Sequence, residues 1–91
     1  MQPSFIIEPN RIYLSNENGI KVAEVTFPSL PDGKVEINHT FVDPSLRGQG
    51  IAGQLMEAAA KHLRASGIQA VPTCSYAIRW FDQHPEYQDI L

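Results

Sequence analysis

The strongest constraint on this chain is one change of hydrophobic period at residues 43–50. Before it, short β-rich runs alternate with turn residues; after it, apolar residues recur at helical spacing. Phe5-Ile6-Ile7 and Ile12-Tyr13-Leu14 flank the turn signal Pro9-Asn10, and residues 15–19 form a polar turn into Lys21-Val22-Ala23-Glu24-Val25-Thr26-Phe27. Residues 28–33 break the chain again, with Pro31-Asp32-Gly33 a strong turn. Residues 35–42 then read as the longest strand. Its alternation predicts Val35, Ile37, His39 and Phe41 on one face, and Glu36, Asn38, Thr40 and Val42 on the other. Short connections make these four strands an antiparallel meander.

Beyond the switch, Ile51, Leu55, Ala58 or Ala59, and Leu63 share a helical face, while Gln54, Glu57, Lys61 and Arg64 take the outer side. Gly67 stands where a left-handed residue ends a helix. Residues 69–72 read as a fifth strand and residues 75–84 as a second helix, stopped by Pro85. A strand-helix-strand crossover is right-handed, which sets the fourth and fifth strands parallel. The expected architecture is α+β and a single domain over residues 1–91: a four-strand antiparallel meander, a helix, a parallel fifth strand and a C-terminal helix.

Composition narrows the function classes. A net charge of −3 argues against general nucleic-acid binding, which needs a basic field. One cysteine cannot form an intrachain disulfide, which fits a reducing, cytoplasmic setting. Met1-Gln2-Pro3-Ser4 has no positive stretch leading into an apolar one, so no secretory leader is expected. No apolar run approaches the ~20 residues of a membrane span, so no membrane partner is expected either.

Gly48, Gly50 and Gly53 satisfy the G-x-G-x-x-G dinucleotide pattern. The context does not fit. Asp43-Pro44-Ser45-Leu46-Arg47 separates the first glycine from its strand, and residues 69–75 lack the acidic residue that would bind a ribose. No Gly-Lys-Ser or Gly-Lys-Thr follows, which removes the nucleoside-triphosphate loop as well. Arg47-Gly48-Gln49-Gly50-Ile51-Ala52 instead matches Arg/Gln-x-x-Gly-x-Gly/Ala after a strand and a Val-Asp-Pro turn. This resembles the acyl-CoA-binding motif of the GNAT superfamily of N-acetyltransferases. Small residues let consecutive amides curl around a pyrophosphate, the helix start adds about half a positive charge, and Arg47 adds a formal one. The bland alternative is a tight strand-to-helix turn whose glycines only satisfy unusual backbone angles.

Further segments extend the resemblance. Ile37-Asn38-His39-Thr40-Phe41-Val42, Pro72-Thr73-Cys74-Ser75-Tyr76 and Trp80-Phe81-Asp82-Gln83-His84-Pro85-Glu86-Tyr87 are similar to a family of small stand-alone GNAT-like domains. Compared with typical GNAT enzymes, the helical segment between the first two strands and the strands after the second helix are missing. Those parts usually wall the acceptor site, so an open acceptor side is expected, suited to a bulky acceptor or to completion by a homodimer.

The resemblance implies acetyl-CoA as co-substrate and an amine acceptor, on a small molecule or on a protein. It also implies that backbone groups of Thr40, Phe41 and Val42 hold the acyl arm. Cys74, at the end of the fifth strand, is either an acetyl-accepting nucleophile or a small buried residue. His39 is a candidate base on an apolar face, where a packed histidine is the usual finding. Glu36 is the other candidate base, against a plain solvated carboxylate. Tyr76 can donate a proton to a departing thiolate. Arg79, one turn further, can meet a cofactor phosphate or remain a surface cation. His62 and His84 have no partners at metal-ligand spacing, so no metal is expected. A CoA-binding or interaction domain without turnover would use the same loop, and only turnover separates the two.

Overall fold

The computed structural model describes residues 4–91, so the reading of Met1-Gln2-Pro3 lies outside the described residues. The chain forms β1 (Ile6–Glu8), β2 (Arg11–Ser15), β3 (Lys21–Thr26), β4 (Val35–Ile37), β5 (His39–Val42), α1 (Ile51–Ser66), β6 (Ala70–Pro72) and α2 (Ser75–Gln83). Two 3₁₀ turns, Pro44–Leu46 and Pro85–Ile90, complete it.

Strands β1, β2, β3 and β5 form an antiparallel sheet in that order, while β4 pairs in parallel with β6. The expected meander and the expected parallel pair are therefore both present. One element differs. The single strand read over residues 35–42 is broken at Asn38 by a β-bulge, in which the Asn38 N–H donates to the Thr26 carbonyl while His39 pairs with the same Thr26. One extra residue reverses every facing that follows it. Val35 and Ile37 are buried as expected, but His39 and Phe41 turn to the outer face. Thr40 and Val42 turn inward, because they lie opposite the buried Val25 and Ala23. His39 therefore does not share the apolar face of Ile37, and Thr40 does not share the face of Glu36.

Helix α1 lies across β2, β3 and β5 and buries Ile51, Leu55, Met56, Ala59, Ala60 and Leu63 against Ile12, Ala23, Val25 and Ile37. Gly67 ends it in the left-handed conformation at φ 69°, returning its N–H to the Arg64 carbonyl. Helix α2 packs Ala77, Trp80 and Phe81 inward. Trp80 meets Phe81 edge-on at 5.0 Å and stacks on His84 at 4.0 Å. Arg64 lies over the Tyr87 ring and pairs with Asp89 at 2.6 Å, tying the final 3₁₀ turn to α1.

Among the described residues, the opposite face of the sheet carries no helix, and it is held by charge. Glu24 is buried there between Lys21 at 2.7 Å and Arg11 at 3.3 Å. Burial alone would raise the Glu24 pKa; the hydrogen bonds and charges of Lys21 and Arg11 outweigh it and hold the carboxyl below its ordinary value. Among the described residues, no helix is long and apolar enough to cross a membrane.

Candidate active site

The site begins at the bulge. The β4–β6 ladder ends at Ile37 opposite Pro72, where the Thr73 and Cys74 N–H groups both donate to the Ile37 carbonyl, at 3.0 and 3.2 Å. Beyond that point β5 follows β3, while the chain after β6 turns into α2. The two segments splay. In the antiparallel ladder the Asp43 N–H donates to Val22, so by alternation the backbone groups of Thr40 and Val42 point away from β3, toward the gap. Thr40 Oγ1 and Cys74 Sγ face each other across it at 3.6 Å.

Cys74 is the N-cap of α2, and its sulfur accepts the Ala77 N–H at 3.3 Å. It is partly buried and packs against the core. Tyr76, in the first turn of α2, places its hydroxyl against Gly53 of α1; a Cβ on Gly53 would sit 3.6 Å from that oxygen. An alanine at 53 would make ordinary van der Waals contact with it. Burial raises the Tyr76 pKa above the ordinary tyrosine value, so its hydroxyl holds its proton as a donor must. The linkage sign follows. The stabilisation from neutral Tyr76 is complete below the unfolded tyrosine value and is lost as pH rises through the higher folded one. Tyr76→Phe is therefore expected to lose less thermal stability than the unsubstituted protein between about pH 9 and 11, read from melting temperatures. Parallel curves would remove the buried-hydroxyl assignment.

The loop between β5 and α1 is set by short-range chemistry. Asp43 caps the Pro44–Leu46 turn, accepting the Ser45 N–H at 2.9 Å, and its carboxyl pKa is lowered by the Ser45 hydroxyl and N–H. Gly48 and Gly50 adopt φ of 83° and 74°, the left-handed region that side chains rarely enter. Gly50 is the N-cap of α1 and offers no side-chain cap, so the first N–H groups of the helix open outward. They open onto a cavity of about 370 Å³ lined by Thr40, Val42, Leu46, Arg47, Gly48, Gly50, Ile51, Ala52 and Tyr76. A second cavity of about 500 Å³ runs between α1 and α2 past Gln54, Lys61, Trp80 and His84, sharing Gly50 and Tyr76 with the first.

Most candidate residues thus converge on one place: Thr40, Val42, Arg47, Gly48, Gly50, Ile51, Ala52 and Tyr76 line one cavity, with Cys74 beside Thr40. Others do not. Glu36 lies on the outer face, where Thr73 Oγ1 donates to it at 2.7 Å. His39 is exposed on that face, turned away from Cys74. Phe41 contributes backbone to the segment while its ring points outward. The Gln49 and Arg79 side chains are exposed and line neither cavity. Trp80, four residues after Tyr76, occupies the groove-facing position, and Arg79 at three residues falls outside it. Leu46, in the cavity wall, and Thr73, bonded to Glu36, are not singled out by any sequence motif. Leu46 is the one apolar residue between Asp43 and Gly50, which is the signal that it packs. Among the described residues, no cluster of three metal-ligating side chains occurs.

Comparison with known proteins agrees with this geometry. The solution structure of a provisionally assigned GCN5-like N-acetyltransferase from Staphylococcus aureus matches with a TM-score of 0.75 and 28% identity, over 96% of this chain and 85% of that one. A crystal structure from Staphylococcus aureus subsp. aureus, provisionally assigned as a GNAT family acetyltransferase, matches with a TM-score of 0.58 and 26% identity. That match covers 72% of this chain and only 57% of the other. A ribosomal-protein-alanine N-acetyltransferase from Brucella melitensis biovar Abortus 2308 shares the fold at 21% identity and a TM-score of 0.60, over 81% of this chain and 58% of that one. A model of the GCN5-related N-acetyl-transferase family matches residues 11–90. With that match spanning nearly the whole chain, and with the splayed strands and glycine-capped helix in place, the chain belongs to the GCN5-related N-acetyltransferase family.

Proposed function

We propose that the chain transfers an acetyl group from acetyl-CoA to a primary amine. The observation that carries this reading is one shared cavity: the uncapped start of α1 and the splay beside β5 open onto it together. The segment Arg47-Gly48-Gln49-Gly50-Ile51-Ala52 is the pyrophosphate cradle, with backbone amides, the helix N-terminus and the Arg47 charge facing the anion. The glycine backbone leaves room for it: a Cβ on Gly48 would meet nothing within 4 Å, and one on Gly50 only the end of Gln54.

The backbone groups of Thr40 and Val42, on either side of Phe41, line the acyl arm, and an N–H at the free edge of β5 polarises the thioester carbonyl. The amine nitrogen attacks the thioester carbon, the C–S bond breaks, and the leaving thiolate takes its proton from Tyr76 Oη. The proton lost by the amine goes to Glu36, the carboxylate at the outer mouth of the splay. His39, on the same face, is the second group that can serve the incoming amine.

Cys74 acts through position. Its sulfur is already engaged as the cap of α2 and contacts Thr40. Cys74→Ser, which keeps a capping oxygen, is expected to retain turnover within roughly tenfold of the unsubstituted chain. An acetyl adduct in the intact mass of the chain incubated with acetyl-CoA alone, absent in Cys74→Ser together with turnover, would instead make the thiol a nucleophile. The function itself is tested by CoA release across a broad amine panel. Release above background is expected; saturable acetyl-CoA binding with no release for any amine would leave a CoA-binding domain without turnover.

A further inference from the structure

We propose that Thr40 and Cys74 together set the length of the acyl group, so that acetyl is accepted and butyryl or longer chains are not. This rests on the acyl-transfer reading above and names the donor that the same cavity takes. In that reading the pyrophosphate lies at residues 47–52, the arm passes Val42, and the acyl group comes last, at Thr40. What stands beside Thr40 therefore decides how long that group can be.

A wall stands there. The cavity of about 370 Å³ is lined by Thr40 but not by Cys74. Thr40 Oγ1 and Cys74 Sγ are 3.6 Å apart, a contact that leaves no passage between them. Both side chains belong to the α1 side of the sheet, since Thr40 lies opposite the buried Val25 and Cys74 packs against the core. Past the contact the ladder closes: the Thr73 and Cys74 N–H groups both donate to the carbonyl of the fully buried Ile37.

The wall is fixed from both sides. Thr40 is β-branched, which restricts its rotamers, and its strand is paired with β3. Cys74 Sγ accepts the Ala77 N–H at 3.3 Å, so displacing the sulfur would uncap α2. A longer acyl chain has one other way to go, toward the outer mouth of the splay. There it stands where the amine must approach, beside Glu36 and Thr73. Such a donor still binds through its pyrophosphate, but its thioester is shielded.

One methylene in a fitted apolar site changes kcat/KM by roughly 10- to 200-fold, and butyryl carries two more than acetyl. With saturating amine, the unsubstituted chain should show a kcat/KM for acetyl-CoA at least roughly 100-fold above that for butyryl-CoA. Thr40→Ala and Cys74→Ala open the wall from its two sides, and either should narrow that ratio to within about tenfold. Thr40→Val keeps the branched bulk and should keep the preference. Calorimetric titration gives a second reading that needs no turnover. Two methylenes newly buried should tighten butyryl-CoA binding to Thr40→Ala roughly tenfold relative to the unsubstituted chain, with no such gain for acetyl-CoA. Binding of free CoA shows that each variant is folded. Equal use of acetyl- and butyryl-CoA by the unsubstituted chain, equal broadening in Thr40→Val and Thr40→Ala, or unchanged butyryl-CoA binding in both alanine variants each overturns the wall while acyl transfer stands. If no donor supports CoA release, the transfer reading fails, and the gain in butyryl-CoA affinity still decides the wall.

Discussion

Gly50→Glu is expected to weaken acetyl-CoA binding by at least about 100-fold, close to 2.7 kcal/mol. Two effects act at this position and they differ in size. Gly50 sits at φ 74°, so any side chain there carries strain of roughly 1–2 kcal/mol. That strain lowers the stability of the fold or shifts the loop. A Cβ itself meets nothing closer than the Gln54 amide at 4.0 Å, so steric exclusion is minor. The carboxylate is the larger effect: two like charges about 5 Å apart repel by roughly 3 kcal/mol at an effective dielectric constant of 20. It also occupies the uncapped helix start that the pyrophosphate needs. Gly50→Ala carries the strain without the charge and separates the two. Calorimetric titration should show Gly50→Ala within about tenfold of the unsubstituted chain and Gly50→Glu without measurable binding. Equal losses in both would assign the effect to backbone strain and remove the electrostatic account of the loop.

Phe27→Ala is expected to cost about 3–5 kcal/mol of folding stability. The ring is fully buried in the core, with the His62 ring 6.1 Å away across the underside of α1. Both backbone groups of Phe27 are committed to Asn10: its N–H donates to the Asn10 carbonyl, and its carbonyl accepts the Asn10 amide. The site therefore cannot collapse to fill the space, which places the cost at the upper end of the range. A domain of this size is stable by roughly 5–14 kcal/mol in total, so the variant loses a large part of its margin. Phe41→Ala, by contrast, removes a ring that already faces water and should cost less than about 1 kcal/mol. Urea midpoints at constant slope compare the two. A loss at Phe27 no greater than at Phe41 would contradict the core described above.

The turn chemistry and the two periodicities made most of the architecture legible. Pro9-Asn10, Pro31-Asp32-Gly33, Gly67 and Pro85 lie at or beside the observed boundaries, because each acts through its own backbone restriction and needs no tertiary information. The bulge at Asn38 is of another kind. Residues 35–42 alternate without a glycine or proline to mark a break, so strict alternation was the natural reading. The break arises because residues up to Ile37 pair with β6 and residues from His39 pair with β3, a competition between two distant partners. The run of three successive polar residues Asn38-His39-Thr40 is the local trace of it.

The candidate site divides along the same line. The glycine loop was legible because left-handed backbone at a helix start requires glycine, a purely local rule. The facings of His39, Thr40, Phe41 and Val42 were not, since each depended on the parity that the bulge changed, whereas Glu36, before the bulge, lies on the face that alternation predicts. Arg79 lies outside both cavities for a simpler reason: on a helix the fourth residue after Tyr76, not the third, returns to the same groove. What Cys74 touches was invisible for the opposite reason, because Thr40 lies 34 positions away in the chain.

The most direct measurement for the central claim is an amide-resolved NMR titration of the full chain with acetyl-CoA. The largest shifts are expected at Arg47, Gly48, Gln49, Gly50, Ile51 and Ala52, with a second group at Thr40, Val42 and Cys74, and little change at Ile6 or Tyr13 on the outer face. Shifts concentrated on the outer face, or none at saturating acetyl-CoA, would contradict it.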